Sequence, residues 1–311
     1  MNTIVKVEGL SKTYGETIAV DKISFEVFER EIFGMVGPNG AGKTTTIECL
    51  EGLRVPDQGR IRVLGVDPAR ESHVLRKRTG IQLQESNLPD RMKVWEALDL
   101  YASFYPKVID WEQLLVQLGL EEKRNVPFRK LSGGQKQRLF IALALLPDPK
   151  LVFLDELTTG LDPRARHAIW DLVQGVRGRG KTVILTTHFM EEAERLCDRV
   201  VILDQGKIVA LDTPSSLISN MGVEERVVFS LDGFMPPGLF EDLSGDIKVE
   251  VNGEQVVVRS RNGRNDPLVS DVVKQLCVNN ISFRDLRTEQ PNLEDVFLNL
   301  TGRTLEEVEL E

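Results

Sequence analysis

Gly37-Pro38-Asn39-Gly40-Ala41-Gly42-Lys43-Thr44 is the stretch on which the fold turns. It matches G-x-x-x-x-G-K-[ST] in full. An apolar run, Ile32–Val36, precedes it, and the helically periodic Ile47, Leu50 and Leu53 follow. Strand, glycine loop and helix in that order are the context in which this pattern signifies phosphate binding. The glycines let backbone N–H groups converge on phosphate oxygens, and the helix start adds the positive end of its dipole. Lys43 is expected to reach the outer phosphates of a nucleotide, and the Thr44 hydroxyl to bind Mg2+. With Thr45 beside them, residues 37–45 form the candidate phosphate site.

A second strand-like run, Leu151-Val152-Phe153-Leu154, ends in Asp155-Glu156. Buried strands of α/β sheets carry their last residues to the edge where ligands bind, so Asp155 belongs beside the loop as a candidate Mg2+ ligand. Alternation along the strand predicts that Glu156 points to the opposite side, where it can orient or deprotonate an attacking water. A third run, Thr182–Thr187, ends in His188, the position of a sensor for the terminal phosphate. Tyr14, in Leu10-Ser11-Lys12-Thr13-Tyr14-Gly15, reads either as core or as a platform for a base.

Leu131-Ser132-Gly133-Gly134-Gln135 precedes an apolar helix in which Leu139, Ala142, Leu143 and Leu146 share a face and Pro147 stops the run. Ser132 is expected as its N-cap. A small-residue helix start is an anion site in its own right. The chain thus carries two phosphate-facing devices, whereas one nucleotide has a single terminal phosphate. The economical reading is that the second device serves the nucleotide of another copy.

The ordered set of Tyr14, the glycine loop, Gln84, Leu131–Gln135, Leu151–Glu156, Gly160-Leu161-Asp162 and His188 resembles the ATP-binding-cassette (ABC) ATPases over residues 1 to about 220. That resemblance implies a P-loop NTPase cassette of the α/β class, with a mixed β core and an α-helical subdomain carrying the signature. It further implies ATP and Mg2+ as ligands. Tyr14 stacks on adenine. Gln84 contacts Mg2+ and the attacking water while sensing a membrane partner, and it is preferred to Gln82 because it sits nearest the expected strand end. Ser132, Gly133 and Gly134, with Gln135 beside them, bind the terminal phosphate across a head-to-tail dimer. Glu156 is the catalytic base, Asp162 couples the two sites, and His188 contacts the phosphate. One departure is Leu157, where the family commonly has proline.

The tail reads as a small α+β module. Ile247–Val251 alternates, Asn252-Gly253 signals a hairpin, and Val256–Val258 follows. Leu268, Val269, Val272, Val273 and Leu276 recur at helical spacing, and Ile281 and Phe283 alternate. Asn292 caps a predicted helix with Leu293, Val296, Phe297 and Leu300 on one face before Gly302. The texture changes around 220–230, so the expected domains are 1–222 and 223–311. A single phosphate loop argues against a tandem translation factor, and 311 residues argue against a chromosome-type cassette split by a long coiled coil. The stretch Asn292–Gly302 is similar to the end of prokaryotic drug and antibiotic exporter ATPases, which pair with type-2 permeases of about six helices.

Composition fits such a motor. The chain has 39 Lys+Arg against 48 Asp+Glu, a net charge of −9, and 41% hydrophobic residues, as a globular protein should. The acidic balance argues against nucleic acid as the main partner. Its longest apolar run, Leu139–Leu146, is far short of the roughly 20 residues that span a bilayer. Nothing in Met1–Lys6 reads as a signal peptide. Cys49, Cys197 and Cys277 lack metal-ligand spacing and are expected as reduced, buried thiols. The expectation is a cytoplasmic ATPase, peripheral on the inner face of the cell membrane, that homodimerises and drives a separate permease. A soluble ABC-type regulator or assembly factor without transport activity is the alternative.

Overall fold

The computed structural model describes residues 2–84, 86–220, 224–231, 235–236, 238–240, 243, 246–261 and 267–303. Two compact units divide the chain. One runs to Pro214 and takes in Arg303; the other is Ser215–Gly302. The boundary expected at 222/223 falls on residues outside the described set.

The first unit follows the order β1 (Thr3–Tyr14), β2 (Thr17–Phe28), β3 (Ile32–Val36), α1 (Lys43–Glu51), β4 (Gln58–Val63), α2 (Ser72–Leu75), β5 (Thr79–Gln82), α3 (Val94–Ala102), α4 (Trp111–Gln117), α5 (Gly133–Leu145), β6 (Leu151–Asp155), α6 (Pro163–Gly178), β7 (Thr182–Thr187), α7 (Met190–Leu196), β8 (Arg199–Asp204) and β9 (Lys207–Asp212). A three-stranded antiparallel sheet has the order β2-β1-β4, and a six-stranded sheet the order β5-β6-β7-β3-β8-β9. In the larger sheet every pairing is parallel except that of β8 with β9. Parallel strands buried on both faces read as continuous apolar runs, and all five residues of β3 and of β6 are buried. Apolar residues of both sheets meet α1 in one core, where Phe33 and Phe25 stack at 5.5 Å beside Ile47 and Leu50.

This strand order positions the site. β6, β7 and β3 are neighbours, so the segments that follow them, which carry Glu156, His188 and the glycine loop, leave the same edge of the sheet. α5 departs from the single apolar face expected of it. Ile141, Ala144 and Leu145 are buried as well as Leu139, Ala142 and Leu143, so this helix is enclosed on most sides.

The second unit contains α8 (Pro214–Ser219, whose first residue closes the first unit), β10 (Glu224–Leu231), β11 (Asp246–Asn252), β12 (Gln255–Arg261), α9 (Leu268–Val278), β13 (Phe283–Glu289) and α10 (Leu293–Thr301). Its antiparallel sheet has the order β11-β12-β10-β13. Val227, Phe229, Leu231, Val256 and Val258 form its core with Leu268, Val272 and Leu276 of α9. The expected hairpin forms with its turn one residue later. Asn252 pairs with Gln255, which leaves Gly253-Glu254 as the central residues, and of these only Gly253 has positive φ, at +63°. Asn292 caps α10 by accepting from the Asp295 N–H at 3.1 Å, as its sequence position predicts. Leu300, expected on the buried face, is 49% exposed, because the buried stripe ends at Phe297. Cys277 is likewise exposed rather than buried. Among the described residues no helix is long and apolar enough to cross a membrane.

Phe229 is fully buried at the centre of the second core. Phe229→Ala is expected to destabilise this unit by about 3–5 kcal/mol. Urea unfolding of the full chain, followed by amide exchange on β10 and β12, measures it, and β6 should be unaffected.

Candidate functional site

The loop after β3 is closed by backbone constraints that only glycine meets. Gly37 has φ +154° and Gly42 φ +98°. A Cβ on Gly37 would collide with the Leu203 carbonyl oxygen, and one on Gly42 with that of Ala19. Gly42 is also the N-cap of α1, and no side chain caps that helix. First-turn N–H groups of α1 therefore face the loop and suit an anion. The Lys43 side chain, 4% exposed, lies along the loop and donates to the carbonyls of Gly37 at 2.7 Å and Pro38 at 2.9 Å.

Glu156 meets this loop just beyond the end of β6. It lies one residue past β6 with φ +47°, a conformation that disfavours a side-chain-bearing residue by roughly 1–2 kcal/mol. Thr186 on neighbouring β7 anchors that turn, since the Glu156 N–H donates to its carbonyl at 3.2 Å and to its hydroxyl at 3.1 Å. The turned carboxylate sits with Oε1 3.9 Å from Lys43 Nζ and 3.8 Å from His188 Nδ1. Its Oε2 accepts from Gln84 Nε2 at 2.9 Å. The left-handed turn thus sets Glu156, one residue past the strand, beside Lys43, His188 and Gln84.

Electrostatics separates the two acids. The imidazole of His188 foremost, then the Lys43 ammonium and the Gln84 amide, hold the Glu156 carboxyl below the usual range against its burial. Asp155 is 3% exposed, and burial pushes its carboxyl up despite a hydrogen bond from the Thr186 hydroxyl. The charge of Glu156 adds to that rise. Glu156 is thus held as an anion, while Asp155 lacks sufficient positive compensation. Of the two glutamines, Gln84 reaches the cluster, whereas Gln82 is buried and donates to the Leu83 carbonyl.

Ser132–Gln135 form a second cluster. Ser132 caps α5 and exchanges bonds with Gln135: the Gln135 N–H donates to its hydroxyl, and the Ser132 N–H donates to the Gln135 side chain. Ser132 and Gly133 are exposed. Gly133 lies against the Leu161 side chain and Gly134 against Ala165, so a Cβ at either would fit only if its neighbour gave way by a few tenths of an ångström. Asp162 caps α6 from the same place, accepting from the Ala165 N–H at 2.9 Å. Tyr14 stands apart at the end of β1, 40% exposed, with the Arg54 guanidinium 5.1 Å from its ring centroid. Leu157, where the resemblance expects proline, is buried.

Three contributors escape sequence reasoning. Thr186 carries a signal only in retrospect, as a hydroxyl beside a strand-end histidine. Glu192 is 2% exposed and accepts from Trp170 Nε1 at 2.8 Å. Glu51, the last residue of α1, is fully buried, and neither carboxyl oxygen has a hydrogen-bond partner among the described residues. Among the described residues no group of three or more His, Cys, Asp or Glu is arranged to hold a metal.

Known proteins share this architecture. A family model described as ABC transporter matches residues 20–159. The chain is 41% identical to a Nod factor export ATP-binding protein I of Rhizobium etli, over 98% of this chain and 95% of that protein. It is 39% identical to the protein of the same name from Ralstonia nicotianae, over 97% and 95%. Among solved structures, the ADP conformation of an ATP-binding cassette of an ABC transporter superposes with a TM-score of 0.64 at 25% identity, covering 71% of this chain and 94% of that one. A dimeric cassette in a post-hydrolysis state bound to ADP and Pi gives 0.61 at 26% identity, covering 67% and 98%.

Burial foremost, then the charges of Asp155 and Glu48, push the Glu51 carboxyl up to about 9. A carboxyl whose folded pKa lies above its unfolded value of 4.5 stabilises the fold only while protonated. Its opposition to folding therefore grows as pH rises from about 4.5 towards 9, to about 3 kcal/mol at pH 7. Glu51→Gln should raise the denaturation midpoint at pH 8 and leave it nearly unchanged at pH 4.5, as thermal unfolding at the two pH values will show.

Proposed function

Because the chain belongs to the ABC transporter family as an ATP-binding and ATP-hydrolysing subunit, we propose that it is the motor of an exporter, in which two copies close on two ATP molecules and hydrolysis reopens them. The meeting of Lys43, Glu156, His188 and Gln84 at one phosphate loop carries this reading. Lys43 and the first-turn N–H groups of α1 hold the β- and γ-phosphates. Glu156, held as an anion, orients the attacking water and accepts its proton, with Gln84 fixing the carboxylate. His188 contacts the γ-phosphate, and Tyr14 stacks on adenine. Phosphoryl transfer of this kind is mostly positioning and charge stabilisation, which is what such a cluster can supply.

Thr44, Asp155 and Gln84 offer a hydroxyl, a carboxylate and an amide oxygen. Such a set of hard oxygens suits Mg2+, which fills its remaining positions with phosphates and water. The raised pKa of buried Asp155 fits the same purpose, because a divalent charge beside it favours the ionised form. When bound, Mg2+ neutralises charge accumulating on the phosphate oxygens.

Closure as a homodimer is supported by the second cluster. Ser132, Gly133 and Gly134 offer an exposed helix start to a phosphate held by the opposing copy, and Asp162 lies at the same junction. A ligand shifts such an equilibrium only by binding one state better, and a γ-phosphate held from both sides supplies that difference. Docking of a permease of about six helices near Gln84–Pro89 is supported by the exposed apolar side chain of Leu83 beside Gln84 in the chain. The chain then works peripherally on the cytoplasmic face of the membrane. The two relatives named for Nod factor export favour outward transport. The resemblance of Asn292–Gly302 to drug and antibiotic exporter ATPases suggests drugs, antibiotics or similar molecules, with the cargo chosen by the permease.

Glu156→Gln should keep ATP binding, lose nearly all turnover and accumulate a dimer with ATP on size-exclusion chromatography. Parent-rate hydrolysis by that variant would overturn the assignment of the base. Lys43→Ala removes charge-assisted bonds to phosphate and should weaken ATP binding by roughly 10- to 100-fold in a titration.

A further inference from the structure

The Glu156 carboxylate is one contact of the His188 imidazole: the buried Nδ1 lies 3.8 Å from Oε1, longer than a hydrogen bond. The ring also rests on Phe189, with centroids 4.0 Å apart and planes inclined by 43°. Over that same phenyl ring, 4.2 Å from its centroid, sits the Arg166 guanidinium of α6. Arg166 Nε is also buried without a hydrogen-bond acceptor among the described residues. Arg166 as a whole is only partly buried, and the ring face partly compensates the unused Nε donor.

Glu192 anchors the same helix. Its carboxyl is buried, and the Trp170 indole of α6 donates to it at 2.8 Å. Burial raises its pKa, against which act hydrogen bonds from Thr187, Trp170 and Thr158 and, last, the charge of Arg166. Arg166 and Trp170 are four residues apart on α6 and so share a face. Asp162 precedes Arg166 by the same interval, and the Arg166 N–H donates to its carbonyl at 2.9 Å. One turn of helix thus joins the Asp162 cap to the cation above Phe189.

We propose that Arg166 is a positioning residue for His188, acting through the Phe189 ring, with Glu192 and Trp170 holding its α6 face in place. The inference deepens the functional reading above and rests on its assignment of His188 to the γ-phosphate. Movement of the α6 start is then felt at the imidazole, because Arg166 and His188 both contact the Phe189 ring.

The test uses the full chain with Mg2+ and ATP. Arg166→Met removes the charge at similar length, and Phe189→Leu removes the ring. Each should lower turnover about 10- to 100-fold through misplacement of His188 while ATP affinity stays within about twofold. The His188 side-chain NMR resonance, readily assigned in a chain with three histidines, should move in both. The double variant should be no slower than the slower single one, since both break one contact. Phe189→Tyr, which keeps an aromatic face, should retain parent turnover. Parent rates in Arg166→Met and Phe189→Leu, or losses with an unmoved His188 resonance, would overturn the proposal. Should Arg166→Met lack a cooperative thermal transition, the Leu and Tyr variants of Phe189 decide alone. Inactive Glu156→Gln together with fully active Arg166→Met defeats only the positioning role, whereas active Glu156→Gln defeats the catalytic reading itself.

Discussion

A buried ammonium governs this structure. The Lys43 side chain is 4% exposed, and removing such a charge from water is repaid only by close, well-oriented partners. Two loop carbonyls and the Glu156 carboxylate are those partners, and each imposes geometry on the chain. The carbonyls of Gly37 and Pro38 point inward only because Gly37 and Gly42 adopt positive φ against the backbone of Leu203 and Ala19. The carboxylate arrives only because Glu156 accepts a left-handed turn that Thr186 fixes. Local strain at both places is therefore part of one electrostatic arrangement, as is common where a site must be preorganised.

The larger sheet makes that arrangement affordable in chain length. β7 lies between β6 and β3, so three short loops leave adjacent strand ends and meet without a long excursion. Gln84 joins from two residues past β5, the next strand outward. Ligands of open α/β sheets bind at such strand ends. Here the order of strands, rather than any single contact, determines which residues can meet.

Much of this was legible in the sequence, because the signals were local. Glycines at fixed offsets, unbroken apolar runs and caps such as Ser132 and Asn292 each express a backbone requirement within a few residues. What escaped was set by tertiary context. The left-handed turn at Glu156 has no propensity signature, since positive φ is uncommon at a glutamate. Nothing local marks Glu51 and Glu192 for burial, since acidic residues are seldom buried. The enclosure of α5 was invisible because Lys136, Gln137 and Arg138 at its start suggest a two-faced helix. Asn-Gly identified the hairpin of the second unit but misplaced its turn by one residue, because Gly alone at the first central position suffices.

Four acids, Glu51, Asp155, Glu192 and Glu156, show why residue type alone does not assign a role. Glu51 has no hydrogen-bond donor among the described residues, and burial pushes its carboxyl up to about 9. Asp155 has a hydroxyl donor, and burial still prevails, which leaves it receptive to a cation. Glu192 has threonine and indole donors and the charge of Arg166, yet at 2% exposure its pKa remains raised. Glu156 alone sits among His188, Lys43 and Gln84, and its pKa falls. The gradient follows the positive charge and donors supplied to each carboxyl by its neighbours. A general base for water must be ionised at neutral pH and still reach the substrate. Of these four, only Glu156 combines a depressed pKa with a place beside the phosphate loop, so the strained turn that puts it there is what separates a catalytic carboxylate from three buried ones.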